Sequence, residues 1–229
     1  MRWLRRHFGW TPLVLAMLAL SSAAGCGFVA LGAQAFEPKN KARFRMEDRP
    51  TLVLVDDLQR HLGSPANATL LAETISGNLV NEGALKNVIA PSKADAHLIA
   101  LGDRAGAAGI DDIGRAVDAE QVVYVYVESA SLFSEPGLLQ PEASVRVKVI
   151  DVMNRKRLFP TEGAAESEPG AMLTPRGYAV VSKIGPRGVD SDSPSLRNAM
   201  YAQLTRRVGR DVARVFHEYH SRQPGEPFE

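Results

Sequence analysis

Two rhythms of apolar residues alternate along this chain. From Gln121 to Glu128, Val123, Val125 and Val127 fall on one side and Val122, Tyr124 and Tyr126 on the other. Apolar groups on both sides predict a central strand. Ser144 to Asp151 alternates more cleanly, with Val145, Val147 and Val149 facing one way and Arg146 and Lys148 the other. That pattern predicts a half-buried antiparallel strand. Leu52 to Val55, closed by Asp56 and Asp57, predicts a short buried strand, and Leu85 to Ala90 and Tyr178 to Ile184 predict two more. Ser134 to Pro141 is a Pro/Gly turn region, and Asn154-Arg155-Lys156 predicts a hairpin turn into Arg157 to Phe159.

The second rhythm is helical. Leu71, Ile75 and Leu79 recur at spacing four, behind Ser64 as N-cap with Pro65 at the first helical position, and Gly83 supplies a stop. Ser193-Pro194 repeats that opening, followed by Leu196, Met200, Leu204, Val208, Val212, Val215 and Tyr219 on one stripe. Short helices are predicted from Pro91 toward Leu101 and from Asp111 to Ala119. The glycine-rich residues 102–109 contain neither Gly-Lys-Ser/Thr nor G-x-G-x-x-G, so they predict a flexible connection and no phosphate cradle. Thr161 to Gly177 is rich in Gly, Pro and Glu and predicts an irregular excursion.

Helices at both ends of the order can cover one face of a mixed sheet. The expected fold is therefore α+β (α/β-like): a mixed β-sheet with a meander, covered by a long N-terminal and a long C-terminal helix. In this order of elements the chain resembles the periplasmic α/β domains of the TolB amino-terminal and CsgG type. The residues that carry the resemblance are Leu52-Val-Leu-Val-Asp56, the helix-then-strand segment Ile113 to Val127, and Val147-Lys-Val-Ile-Asp-Val-Met-Asn154. The resemblance spans about Thr51 to Tyr219 and implies an accessory or assembly role without catalysis. The multi-strand insertion of a secretion pore is absent from the sequence, so channel formation is not implied.

Ahead of the domain lies a different composition. Arg2, Arg5 and Arg6 precede an uncharged core, Leu13-Val-Leu-Ala-Met-Leu-Ala-Leu20, and then small residues up to Cys26. This is the three-part layout of an export leader. Ala23-Ala24-Gly25-Cys26 resembles the lipobox of bacterial lipoproteins, with Ala23 where that family prefers Leu. The resemblance implies cleavage before Cys26 and a lipid on its thiol. A competing reading keeps Trp10 to Phe36 as an uncleaved anchor, since that stretch carries no charge and is long enough to span a bilayer; Pro12 and the small residues Ser21 to Gly27 count against it. A plain secreted chain with an incidental cysteine is the third. The expected division is a signal peptide over 1–25, a lipidated tether over 26–50, one periplasmic domain over 51–220 and a disordered tail over 221–229. Positive charge stays inside and the domain lies outside. Gly27, with no Asp after the cysteine, tilts the expectation from inner to outer membrane.

Charge and cysteine content narrow the partners. Of the 27 Lys and Arg, three sit in the leader, and the remaining 24 face 26 acids, so the mature chain is near −2. A nucleic-acid binder usually shows a strong basic excess, and none is expected here. Cys26 is the single cysteine, which rules out a disulfide within one chain. Lys39, Lys41, Arg43, Arg45 and Arg49 make the end of the tether basic, as solvated linker or as a strip that lies on anionic headgroups.

The candidate chemistry is thin. His217-Glu218-Tyr219-His220 has spacing three where a zincin helix needs four, and a polar helix end explains it better than a metal site. His61 and His97 have no matching ligands nearby in sequence. Asp56 and Asp57 stand at a strand end, where catalytic carboxylates often occur, but no nucleophile or base motif accompanies them. On the last helix Arg206, Arg210 and Arg214 recur at spacing four beside Arg207. They form either a docking stripe for an acidic partner or a solvated face relieved by Asp211 and Glu218. The expectation is a membrane-anchored, non-catalytic accessory lipoprotein with an envelope protein partner and no cofactor. A periplasmic hydrolase and a small-ligand or glycan-binding module are the rivals.

Overall fold

A computed structural model describes residues 39–161, 177–188 and 193–220. Residues 41–219 form one compact unit, while Lys39, Asn40 and His220 group separately as extended chain. Within the compact unit the order is β1 (Thr51–Asp56), α1 (Pro65–Asn81), β2 (Val88–Ile89), α2 (Pro91–Leu101), a 3-10 turn (Gly102–Ala107) and α3 (Ile110–Ala116). A meander follows: β3 (Gln121–Glu135), β4 (Leu138–Asp151), β5 (Lys156–Phe159), β6 (Tyr178–Lys183) and β7 (Arg187–Gly188), and α4 (Pro194–Ala213) closes the order.

The sheet is mixed, as its pattern predicts. β1 lies between β2 and β3 and is parallel to both, and β3 pairs antiparallel with β4. The far edge of β4 is shared in sequence by β7, β6 and β5, each antiparallel to it. Parallel neighbours need a crossover, and α1 supplies one while α2 and α3 supply the other. The two crossovers divide the core. Val53, Val123, Val125, Val145, Val147 and Val149 pack with α1 and α4 on one face. Leu52, Leu54 and Val122 pack with Ala94 of α2 and Ile113 of α3 on the other.

The helices follow their stripes. Leu71, Ile75 and Leu79 are fully buried on α1, as are Leu204, Val208 and Val212 on α4. Gly83 takes the left-handed conformation (φ +69°) past the end of α1, and the Ala84 and Leu85 amides return to the Leu79 carbonyl. The two serines of the repeated Ser-Pro opening behave differently. Ser193 accepts from the Leu196 amide at 3.2 Å, whereas Ser64 makes no side-chain cap and its turn closes through its own carbonyl to Asn67.

Several expectations are corrected. The predicted turn region at Ser134–Pro141 shrinks to Pro136-Gly137, with Gly137 at φ +79°, because the β3–β4 pairing continues outward to Glu135 and Leu138. The second strand is only two residues long. Residues 102–107 form a 3-10 turn where a flexible connection is expected. The last helix ends at Ala213 and not at Tyr219, since Val215 and Phe216 turn inward to the core. Residues 43–50, expected as tether, lie on the domain: Phe44 and Met46 pack against the core, and the Gln121 side chain donates to the Glu47 carbonyl at 2.7 Å. Most of the excursion after Thr161 and all of residues 1–38 fall outside the described residues.

Asp151 ties that segment to the sheet. Its carboxylate is buried, accepts from the Asn154 amide at 2.8 Å and from its side chain at 3.1 Å, and pairs with Arg49 at 3.3 Å. The Asn154 amide holds the carboxyl below the usual range, against a burial effect that raises it, with the Asn154 side chain and Arg49 adding to the depression. A depressed folded value stabilises the fold above the unfolded pKa of about 3.9 and loses that contribution as pH falls through the lower, folded one. Acid melts should therefore steepen below about pH 4 in the wild type, and Asp151→Asn should remove that part of the slope while costing ~1–3 kcal/mol at neutral pH. An unchanged acid slope in the variant would contradict this role.

The helix crossing gives a second test. A Cβ added at Gly209 would stand 2.5 Å from Thr74 Cγ2, so α1 and α4 approach too closely there for any side chain. Gly209→Ala should cost ~1–3 kcal/mol despite the higher helix propensity of Ala. Val208→Asp, which buries an unpaired charge, should cost several kcal/mol against a total of ~5–15. Denaturant midpoints measure both, and a neutral Val208→Asp would show the helix faces to be wrongly assigned.

Candidate functional site

The strongest polar constellation lies where β1 ends. Asp56, the last residue of β1, faces the side of the sheet that carries Tyr124, because Leu54 is level with Tyr124 and Asp56 with Tyr126 on parallel strands. The Tyr124 hydroxyl donates to Asp56 Oδ2 at 2.5 Å. Burial raises the Tyr124 pKa well above its ordinary value, and the Asp56 hydrogen bond and charge, with Tyr126, add to the shift. The phenol is therefore neutral and a donor through the physiological range. Asp57 points into the following turn, where it accepts from the amides of His61 at 2.7 Å and Leu62 at 3.0 Å. The pair flagged in the sequence thus divides: Asp57 closes a turn, and Asp56 holds a tyrosine. Sequence spacing could not reveal Tyr124 as the partner, since the contact depends on strand register.

The face continues onto β4. Arg146 pairs with Glu128 at 2.8 Å, and Ser144 donates to the same Glu128 oxygen at 3.1 Å. Beside them, burial and then the charge of Arg157 lower the Lys148 pKa. These groups form a polar sheet surface next to the Asp56–Tyr124 contact.

The arginines of α4 also divide. Asp211 accepts from Arg207 Nε at 3.1 Å, from Arg214 at 3.2 Å and from the Ser182 hydroxyl of β6 at 2.8 Å. Arg214 further lies 5.0 Å over the Tyr219 ring, a cation–π distance. Arg207 and Arg214 thus lock α4 to the sheet edge. The i,i+4 and i,i+3 spacings to Asp211 were legible in sequence, whereas Ser182 was not. Arg206 is exposed, and Arg210 is half-buried with its Nε enclosed.

His217 is buried, with its ring edge-on to Tyr219 and Nδ1 3.1 Å from the Glu218 carbonyl oxygen. His61, in the turn before α1, and His97, on α2, are both half-buried. Among the described residues no group of three or more His, Cys, Asp or Glu side chains could hold a metal, and no helix is long and apolar enough to cross a membrane. Cys26 and the Trp10–Phe36 stretch lie outside the described residues.

No protein-family model matches the chain, and no curated protein matches it either. Among solved structures it is similar to a PelC dodecamer from Paraburkholderia phytofirmans, at 16% identity and TM-score 0.33, over 73% of this chain and 89% of that one. It is similar to lipoprotein GNA1162 from Neisseria meningitidis at 12% identity and TM-score 0.35, over 68% and 90%. A hypothetical protein, CT253 from Chlamydia trachomatis, gives 15% and 0.33, over 72% and 92%. At that level of likeness neither family nor function follows.

The division of the arginines makes its own prediction. Arg206→Glu should leave the unfolding midpoint within about ±0.5 kcal/mol, because the side chain is exposed. Asp211→Ala should cost ~1–3 kcal/mol, since it strips Ser182 and two arginines of a shared acceptor. If Arg206 also docks an acidic partner, Arg206→Glu lowers co-purification from solubilised membranes while stability holds.

Proposed function

We propose that this protein is a lipid-anchored envelope protein facing the periplasm, and that its domain is a non-catalytic accessory or assembly subunit acting through protein contacts. The observation that carries the reading is the leader, Arg2, Arg5 and Arg6, then Leu13 to Leu20, then Ala23-Ala24-Gly25-Cys26, placed directly before one folded unit. The engagement of Asp57, Asp151 and Asp211 in turns and helix docking supports it, because those carboxylates serve the fold. The order of β1, α1, the β3–β4 hairpin and α4 is compatible with an accessory domain of the TolB amino-terminal and CsgG type. Outer-membrane placement rests on Gly27 after the cysteine.

A second reading has a specific observation behind it. Asp56 sits at the carboxyl end of β1, an edge of the parallel part of the sheet where α/β folds bind ligands, and it holds the hydroxyl of Tyr124 on the neighbouring strand. A small molecule that raises the melting temperature of the wild type but not of Tyr124→Phe would favour a binding module over an accessory subunit.

Metabolic labelling with a clickable palmitate analogue tests the anchor. The wild type should label and Cys26→Ser should not. Equal labelling of both would defeat the lipid-anchored reading, and an unlabelled but membrane-bound wild type would point to Trp10–Phe36 as a retained anchor.

A further inference from the structure

β6 lies at one side of the sheet, and no strand among the described residues pairs with its outer edge. Register tells which backbone groups lie on that edge. The Ile184 amide donates to the Pro141 carbonyl at 2.9 Å, continuing a pairing that sets Lys183 opposite Glu142 and Tyr178 opposite Val147. Antiparallel strands alternate between residues that bond to a neighbour and residues that turn away from it. Tyr178, Val180 and Ser182 therefore bond to β4, and Ala179, Val181 and Lys183 turn their amides and carbonyls outward. Side chains alternate with the same period. Val180 and Ser182 are buried on the side of α4, where Ser182 reaches Asp211, while Val181 stands 53% exposed on the opposite face with Lys183 beyond it.

Native sheets protect such edges with prolines, bulges, charges or very short strands. The shorter edge strands here are protected in that way. β2 is two residues long and runs into Pro91, β7 is again two residues, and β5 carries Lys156 and Arg157. β6 has six residues with no proline and no register shift, and its one charge, Lys183, is held by Glu142 at 3.1 Å. An edge of this kind takes a strand.

We propose that β6 pairs antiparallel with β6 of a second copy of this chain, about a two-fold axis at the level of Val181. The strand is complementary to itself in that register. Val181 meets Val181 of the second copy, and Lys183 meets Ala179, a small side chain that leaves the Lys183–Glu142 pair undisturbed. Every outward amide and carbonyl then has a partner. Both α4 helices lie on one side of the joined sheet and both polar faces on the other. A shift by one residue would set Val180, from the helix side, against Val181 from the polar side, so alternation excludes it. The inference goes beyond the accessory reading and holds for an anchored or a free chain.

Disulfide trapping in the full chain tests the register. Opposed residues of a bonded antiparallel pair stand about 5.5 Å apart at Cα, within disulfide reach. Val181→Cys should therefore give a cross-linked pair of chains under mild oxidation. Lys183→Cys, whose copies would stand more than about 13 Å apart, should not exceed wild type, in which Cys26 is the single cysteine and sets the background. Ala179→Cys combined with Lys183→Cys should restore the cross-link. Sedimentation in density-matched detergent gives a second readout. Wild type should sediment as a pair, and Val181→Lys, which opposes two like charges at an exposed position, should sediment as a single chain with an unchanged circular dichroism spectrum. Wild type sedimenting as a single chain would overturn the proposal, as would equal trapping at 181 and 183 or a folded Val181→Lys chain that stays paired. Trapping of Val181→Cys on a different protein would place a foreign strand on this edge and overturn it as well. Should Val181→Lys lose its spectrum, the trapping pattern decides.

Discussion

The fold hangs on the facing valines of β3 and β4. Val123 is paired with Val149, Val125 with Val147 and Val127 with Val145, and all six are essentially without solvent exposure. Each buried valine contributes on the order of 1.5–3 kcal/mol of transfer free energy, so this ladder is a large part of what closes α1 and α4 onto the sheet. It also fixes the register. A slip by one residue would turn Tyr124, Tyr126, Arg146 and Lys148 toward the two helices and the valines toward the polar face. Every other contact described above, including Tyr124 with Asp56, depends on that register being kept.

The same ladder explains what could be read from the sequence. Period two across 144–151 identifies that strand and its inner face, because a strand between helices and solvent must alternate, whereas 121–128 is apolar on both faces and is covered on both. Spacing four likewise identifies the buried stripes of α1 and α4. The boundaries read less well. The hairpin continues past Val127 through register shifts at Ser129, Phe133 and Glu135, where pairing is maintained without a hydrophobic alternation to announce it. Spacing places the end of α4 too far along, because Val215 continues the helical stripe numerically while packing from a turn.

Site residues were legible only where their partners were close in sequence. Asp211 with Arg207 and Arg214 follows from helical spacing. Asp56 with Tyr124, 68 residues apart, and Ser182 with Asp211, 29 apart, follow from tertiary register that composition does not encode. The basic stretch before Pro50 was ambiguous for a related reason. Alternation of Lys41, Arg43 and Arg45 with Ala42, Phe44 and Met46 is present in the sequence, but its meaning depends on whether an aromatic cluster waits to receive Phe44. Phe159 provides it, with Phe216 edge-on at 6.1 Å and Tyr178 at 5.4 Å.

That aromatic cluster joins the N-terminal segment to the fold. Phe44 enters from the N-terminal segment, Phe159 from the end of β5, Tyr178 from the start of β6 and Phe216 from the turn after α4, so four separate stretches of chain meet around one ring. Below it, Arg49 reaches the buried Asp151, and the Gln121 side chain binds both the Glu47 carbonyl and the Thr51 hydroxyl at 2.7 Å. Residues 44–49 are thus fastened at Phe44, Glu47 and Arg49 before β1 begins. The Arg43 and Phe44 amides add a further tie, both donating to the Val215 carbonyl in the turn after α4. The side chains of Phe44 and Arg49 are thereby held in fixed relation to the core before the first strand starts.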